Sequence, residues 1–411
     1  MPSTLSPISI DVLVARYGGA HYASYRALCA IAQQQQLPWQ INAIDVDEVV
    51  NRFMAEQNQL VDLYKALTGK GGGELYNLML KNGQTWLHPL LLFINRLLVK
   101  LNYSKGVSIF AEFWRERQPD LVVSTLPLYN KVLWNSLQQG KPGTPVVVIP
   151  VDFGDVPPGF YIEPEIESYI VCGSEKIAQQ ARTLGIKEEL IIPTSGLMVH
   201  PRFYEPIECD LPEAKAFRHR ASARESLGLD PNRLTGIVMF GGYGSKVMLD
   251  IAKRLEHFHQ ELQLIFICGR NEELAAEINQ LQGKQKKFVV GFTQDIPYYM
   301  HLADFFVGKA GGSSISEALV MNLPIIVESN ATTLKNEQLN AEWIQQKQAG
   351  IVIRSIRDIR KAVEQFVEPE NFARYKANVT AVDNRTVFEM PAILQKIMTS
   401  HCQSTKILNS R

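Results

Sequence analysis

Residues 234–245 read LTGIVMFGGYGS, an apolar run from Leu234 to Phe240 that breaks into glycine at Gly241, Gly242 and Gly244 and ends on Ser245. Seven apolar or small residues without polar alternation suit a strand buried on both faces, as in a parallel sheet. Residues Lys246–Phe258 follow with helical spacing, so the unit is strand, tight loop and helix. Glycines let backbone amides come close to an anion, and the helix start adds partial positive charge. Ser245 can cap that helix. The loop has neither the third glycine of a dinucleotide fingerprint nor the Gly-Lys-Thr of a Walker loop. Taken alone, it is either an anion cradle or a turn without a ligand.

The same pattern recurs downstream. Strand Phe305–Gly308 runs into Lys309-Ala310-Gly311-Gly312-Ser313-Ser314-Ile315-Ser316-Glu317, which opens a helix. Gly311 and Gly312 permit close backbone approach, Ser313 and Ser314 offer hydroxyls, and Lys309 can neutralise a phosphate. Glu317, one turn into the helix, either receives the hydroxyls of a ribose or stabilises the helix start.

Working outward, Leu262–Cys268, Lys287–Val290 and Pro324–Val327 continue the strand series of the second half. In the first half Ile8–Ala15, Gln40–Asp45, Leu121–Ser124, Pro145–Val151 and Ser168–Cys172 read the same way, with helical stretches between them. Alternating strands and helices imply parallel sheets covered on both faces, and 411 residues are too many for one ordinary core. Pro201–Pro212, with three prolines and several acids, reads as a linker. The expectation is α/β: two Rossmann-like, doubly wound domains, 1–203 and 204–400, facing a central cleft. The last helix is free to pack back on the first domain, and a polar, frayed tail follows at 401–411. Ligands of such sheets bind at the carboxyl ends of the strands.

The first strand also ends in a glycine loop, Gly18-Gly19-Ala20-His21. Gly19 lets the chain pass beneath a substrate, and His21 sits at the next helix start. A helix start disfavours the imidazolium, so His21 would rest as a neutral base able to take a hydroxyl proton. The bland alternative is a structural or solvent-facing histidine.

Several classes are excluded or disfavoured. Lys plus Arg equals Asp plus Glu at 42 each, which gives no global attraction to nucleic acid. Cys29, Cys172, Cys209, Cys268 and Cys402 are scattered without metal-ligand spacing, as in a reducing cytoplasm. Met1–Pro7 has no signal-peptide core. Trp86–Leu101, WLHPLLLFINRLLVKL, falls short of the ~20 apolar residues of a membrane span. It reads as an amphipathic helix with Trp86, Leu90, Phe93 and Leu97 for a lipid surface, or as a buried helix. Asp45-Val46-Asp47 matches a metal-holding Asp-x-Asp signature but reads here as a solvated loop at a strand end. No Gly-x-Ser-x-Gly elbow occurs.

The three glycine loops, in this order and separation, resemble those of the GT-B family 28 glycosyltransferases. The likeness is nearest to monogalactosyldiacylglycerol synthases and processive diacylglycerol glucosyltransferases. The family's Gly-Gly-Gly-His loop is similar to Gly18–His21, which implies His21 as the base. Its linker resembles Gly196–Phe203, and its diphosphate loop resembles Gly241–Ser245. Ile267–Asn271 resembles its Cys-Gly-Arg-Asn, and Gly291-Phe292 the loop whose backbone meets uracil. Lys309–Gly311 with Glu317 resembles its Lys-Ala-Gly and ribose-binding glutamate. Glu337 and Asn340 fall on its Gln-Glu-x-x-Asn, which meets donor sugar and phosphates. Asn336 replaces that glutamine, so galactose and glucose both stay open. Asp152, in Pro150–Asp155, keeps the carboxylate of a family segment whose downstream histidines are missing here.

The resemblance implies an inverting hexosyltransferase that moves a sugar from a UDP-hexose to a lipid hydroxyl such as that of diacylglycerol. It needs no metal or cofactor beyond the UDP-sugar co-substrate. The expected setting is cytoplasmic, at the membrane face, with no nucleic acid partner. The alternatives are a soluble or polyprenyl-linked acceptor, an epimerase of the same fold, or a non-catalytic nucleotide-sugar-binding protein.

Overall fold

The computed structural model describes residues 7–15, 19–57, 88–157, 159–205 and 220–409. Gly18, Trp86, Cys209 and positions 206–219, which include positions 206–212 of the linker, lie outside the described residues. The chain divides into two compact units, one of 1–201 with 385–411 and one of 202–384.

The first unit holds a six-stranded parallel sheet. In chain order it contains β1 (Ile8–Val14), α1 (Ala20–Gln34), β2 (Trp39–Asp45), α2 (Val46–Gln57), α3 (His88–Leu101) and α4 (Tyr103–Arg117). Then come β3 (Leu121–Ser124), α5 (Asn130–Gly140), β4 (Val146–Val148), β5 (Tyr169–Cys172), α6 (Glu175–Thr183) and β6 (Ile191–Pro193). The strand order is β2-β1-β3-β4-β5-β6, so the connections reverse direction between β1 and β3. One face packs on Phe110, Phe113 and Trp114 of α4, with the Trp114 indole donating to Ser136 Oγ at 3.0 Å. A buried charge interrupts the apolar run of β1. Asp11 is fully buried yet held by a two-pronged bond from Arg117 (2.6 and 3.1 Å) and by the Asn42 amide (3.0 Å), which offset its desolvation.

The second unit contains α7 (Arg220–Ser226), β7 (Leu234–Met239), α8 (Val247–Leu255), β8 (Leu262–Ile267), α9 (Glu272–Gln280), β9 (Lys287–Val290) and α10 (Ile296–Leu302). It continues with β10 (Phe305–Lys309), α11 (Gly312–Val320), β11 (Ile325–Glu328), α12 (Lys335–Lys347), β12 (Gly350–Ile353), α13 (Ile359–Val367) and α14 (Pro369–Thr380). Its sheet runs β12-β11-β10-β7-β8-β9, all parallel, with the reversal between β7 and β10. All six residues of the inner strand β8 are buried, as two covered faces require.

The last helix, α15 (Thr386–Asn409), packs against α1 of the first unit. Residues 385–400, grouped with the second domain on sequence, therefore belong with the first. The stretch expected to fray after 401 stays helical through Asn409. The helix start is fastened to the loop after β6: Arg385 N donates to Ser195 Oγ at 2.6 Å, and Thr386 Oγ1 to Gly196 O at 2.7 Å. β6 and β12 add one edge strand to each sheet beyond those legible in the sequence.

Candidate functional site

In the second unit the reversal point sits between the two strands that carry the glycine loops. β10 pairs with β7 so that Gly308 lies opposite Met239. Gly241–Ser245 and Lys309–Ser314 therefore leave the sheet side by side, at its carboxyl edge, where a crevice opens in folds of this kind. A Cβ placed on Gly241 would lie 3.8 Å from Lys309 Cε, which measures how close the loops are.

Neighbouring backbone sets the first loop. Gly244 has φ +61, and a Cβ there would stand 2.7 Å from Cys268 O. Gly269 has φ +59 and a Cβ there would collide with Gly242 O, the same oxygen that accepts from Arg270 N at 2.9 Å. A side chain at either position is excluded by both conformation and space. At Gly242 the opposite holds: a Cβ would meet nothing within 4 Å, so that flank is open to a ligand. Ser245 Oγ accepts from Val247 N at 3.4 Å in the turn before α8, whose cap position is Lys246 and carries no side-chain cap bond.

The second loop leads into α11, whose start at Gly312 carries no side-chain cap, so its first amides are available to an anion. Ser313 and Ser314 are half-buried in that first turn. Asn340 is fully buried and its amide donates to Ala310 O at 3.0 Å, fastening α12 to the loop. Lys309 Nζ meets Glu337 Oε1 at 2.6 Å. Burial pushes the Glu317 carboxyl up to about 7, a rise partly countered by the charge of Arg202. Phe292 is 57% exposed, and the Arg270 guanidinium stacks on it 4.9 Å from the ring centre. Arg270 thus touches both the first loop and the aromatic beside it.

In the first unit, His21 lies at the start of α1, at the β1/β3 reversal point, and is 6% exposed. Its Nδ1 is 2.9 Å from Thr125 O. A carbonyl only accepts, so Nδ1 carries the hydrogen and the basic lone pair belongs to Nε2. Burial lowers the imidazole to about 4, although the Thr125 carbonyl pulls it upward, so it is neutral at working pH. Gly19 precedes it with open space where a Cβ would project. Asp152 follows β4, the strand beside β3, and accepts from Tyr161 Oη at 3.0 Å. Asn130 ties the two loops together, donating to Leu126 O (3.1 Å) and Tyr161 O (2.9 Å). Thr125 and Tyr161 were not legible as site residues in the sequence, because the pairing of β1 with β3 brings Thr125 beside His21 and the folding back of the loop after β4 brings Tyr161 to Asp152.

Asp45-Val46-Asp47 is corrected by the structure. Asp45 is buried and caps α2, accepting from Asp47 N at 3.0 Å and Glu48 N at 3.4 Å, so it is a helix start and not a solvated loop. Among the described residues no cluster of His, Cys, Asp and Glu could hold a metal ion, and no helix is long and apolar enough to cross a membrane. Leu90, Phe93, Leu97 and Leu101 are exposed by 55%, 65%, 44% and 71% on one face of α3, while Arg96 on another face donates to Val156 O at 3.1 Å.

Comparison with known proteins matches the glycosyltransferase family 28 C-terminal domain over residues 237–386 and the monogalactosyldiacylglycerol (MGDG) synthase domain over 27–199. Monogalactosyldiacylglycerol synthase 1 of Arabidopsis thaliana is 25% identical over 376 residues, covering 88% of this chain and 65% of the relative. The processive diacylglycerol beta-glucosyltransferase of Staphylococcus carnosus is 27% identical, covering 64% and 63%. The chain thus spans about two thirds of the length of these relatives. Among solved structures, MurG of Acinetobacter baumannii superposes with a TM-score of 0.59 at 13% identity, covering 95% of this chain and all of that one. The UDP-GlcNAc 2-epimerase of Neisseria meningitidis gives 0.54 at 12% identity, again over 95% of this chain and all of that one. These two likenesses establish the GT-B fold alone, which supports more than one chemistry. With one domain model on each unit, the chain is similar to the family 28 glycosyltransferases and, over its first unit, to the monogalactosyldiacylglycerol synthases.

Proposed function

We propose that this protein is an inverting, metal-independent hexosyltransferase that carries a sugar from a UDP-hexose to a lipid hydroxyl such as that of diacylglycerol. The observation that carries the reading is the side-by-side emergence of Gly241–Ser245 and Lys309–Ser314 from the paired strands β7 and β10. The names of the relatives, which act in diacylglycerol glycosylation, support the acceptor class.

In this reading the second unit binds the donor. Uracil meets the backbone near Phe292, the ribose hydroxyls donate to Glu317, and the diphosphate lies on the glycine loops, Lys309 and the start of α11. As the glycosidic bond breaks, negative charge builds on the diphosphate. Amides already fixed by the fold stabilise that charge without reorganising, which removes the need for a divalent cation. His21, neutral with its lone pair on Nε2, takes the proton of the attacking hydroxyl. The hydroxyl oxygen forms the new bond to the anomeric carbon from the face opposite UDP, which departs with the bonding pair, and the centre inverts. Asp152, fixed by Tyr161, orients the base or the acceptor. The exposed face of α3, with Leu90, Phe93 and Leu97, meets the membrane surface from which the acceptor comes, consistent with peripheral attachment at the cytoplasmic face.

The test is incubation with labelled UDP-galactose or UDP-glucose and a total lipid extract. Label is expected in the organic phase, with turnover reduced about a thousandfold in His21→Ala while UDP binding persists. Label released as free sugar or entering only water-soluble product, or a His21→Ala variant of full activity, would overturn the reading.

A further inference from the structure

The Lys309–Glu337 ion pair occupies the place where the two glycine loops meet. Its N···O distance is 2.6 Å, and the Glu337 side chain is only 11% exposed. A Cβ on Gly311 would lie 3.5 Å from Lys309 Cε and 3.8 Å from Glu337 Oε1, and one on Gly241 would lie 3.8 Å from Lys309 Cε. Glu337 cannot easily drift away with its helix, because Asn340, one turn later on α12, is bonded to Ala310 O at 3.0 Å. The ammonium that would meet a diphosphate is thus already held by an internal carboxylate. Carboxylate and phosphoryl oxygens are both anionic acceptors, and in a half-buried setting two anions on one ammonium repel each other strongly.

We infer that Glu337 stands in for the donor's phosphate on Lys309 in the resting chain and is exchanged off when the diphosphate binds. This rests on the donor assignment above. The exchange is a specificity device. A displaced, mostly buried carboxylate is costly unless it finds new donors. The hydroxyls of a hexose on the diphosphate supply them, whereas UDP alone does not. Glu337 therefore penalises UDP more than UDP-hexose, favouring capture of the charged donor and release of the spent nucleotide. Removing its charge should tighten UDP and narrow the preference for the sugar-bearing form.

Calorimetry on the full chain tests this with wild type, Glu337→Gln, Lys309→Met and the double variant, each titrated with UDP and with UDP-hexose. Glu337→Gln is expected to bind UDP about fivefold tighter, the scale of one partly screened ion pair, with a smaller gain for UDP-hexose. Lys309→Met should bind UDP more weakly, and in that background Glu337→Gln should change nothing, because the effect runs through the ammonium. Unchanged or weaker UDP binding by Glu337→Gln, or a gain that survives in Lys309→Met, overturns the exchange while leaving the donor assignment standing. A wild-type chain that takes up no UDP overturns the donor assignment, and the exchange with it.

Discussion

Glu317 and His21 are displaced by burial in opposite directions on the pH scale, and each shift puts a charge state where the proposed chemistry needs it. His21, lowered to about 4, is unprotonated throughout the neutral range. Glu317, raised to about 7, is half-protonated in the empty site. Ribose hydroxyls donate to a carboxylate, so the bound state favours the ionised form, and below pH 7 a proton must leave before the nucleotide can bind. UDP affinity should therefore level off above about pH 8 and weaken as pH falls, by about fivefold between pH 7 and pH 6. Calorimetry at both pH values checks this, and Glu317→Gln should remove the slope. A slope that persists in the variant assigns the titration to another group. Both shifts arise from enclosure, which a sequence does not display. What could be read at this scale was residue type and its place after a strand: a histidine, a lysine and an acid each within a few positions of a glycine turn.

Helix α3 is the clearest case at the scale of a single element. Its apolar residues Leu90, Phe93, Leu97 and Leu101 recur every three or four positions and are exposed, whereas Leu92 on another face is buried. A buried helix was the other reading of this stretch, and the exposure of the stripe favours an interfacial role. Exposed leucines contribute little to folding, so Leu90→Ser, Phe93→Ser and Leu97→Ser together should cost under about 1 kcal/mol of stability. Sedimentation with anionic phospholipid vesicles should drop at least about tenfold, since each lost apolar side chain removes roughly 1.5–3 kcal/mol of potential burial. UDP binding should be unchanged. Unaltered sedimentation would remove the stripe from the membrane. Central strands were legible for a comparable reason: β7, β8 and β10 are mostly apolar, with Thr235, Gln263 and Lys309 as exceptions, because both sheet faces are covered. β6 and β12 have three and four residues and lie at sheet edges, where a short run carries little pattern.

For the whole molecule, chain order and compact units do not coincide. The first unit needs α15, which arrives from the far end of the chain and buries Val387, Met390, Leu394 and Ile397. Four such side chains contribute about 8 kcal/mol, comparable to the entire stability of an ordinary domain. A chain ending at Asn384 should therefore lose the first unit's cooperative thermal transition while keeping that of the second, and UDP should still raise the latter. Retention of both transitions would show that α15 is dispensable. The amino-acid sequence by itself determined the number and kind of the sheets, the turns after β1, β7 and β10, and the helix with an apolar face, because these follow from local periodicity and glycine placement. Only the tertiary structure decided that β7 and β10 are neighbours, that Thr125 sets the tautomer of His21, that Lys309 is held by Glu337, and that the chain end completes the first unit. Those outcomes depend on which distant segments pair, and pairing is selected by the packing of the whole sheet, a free energy that no short stretch of chain contains.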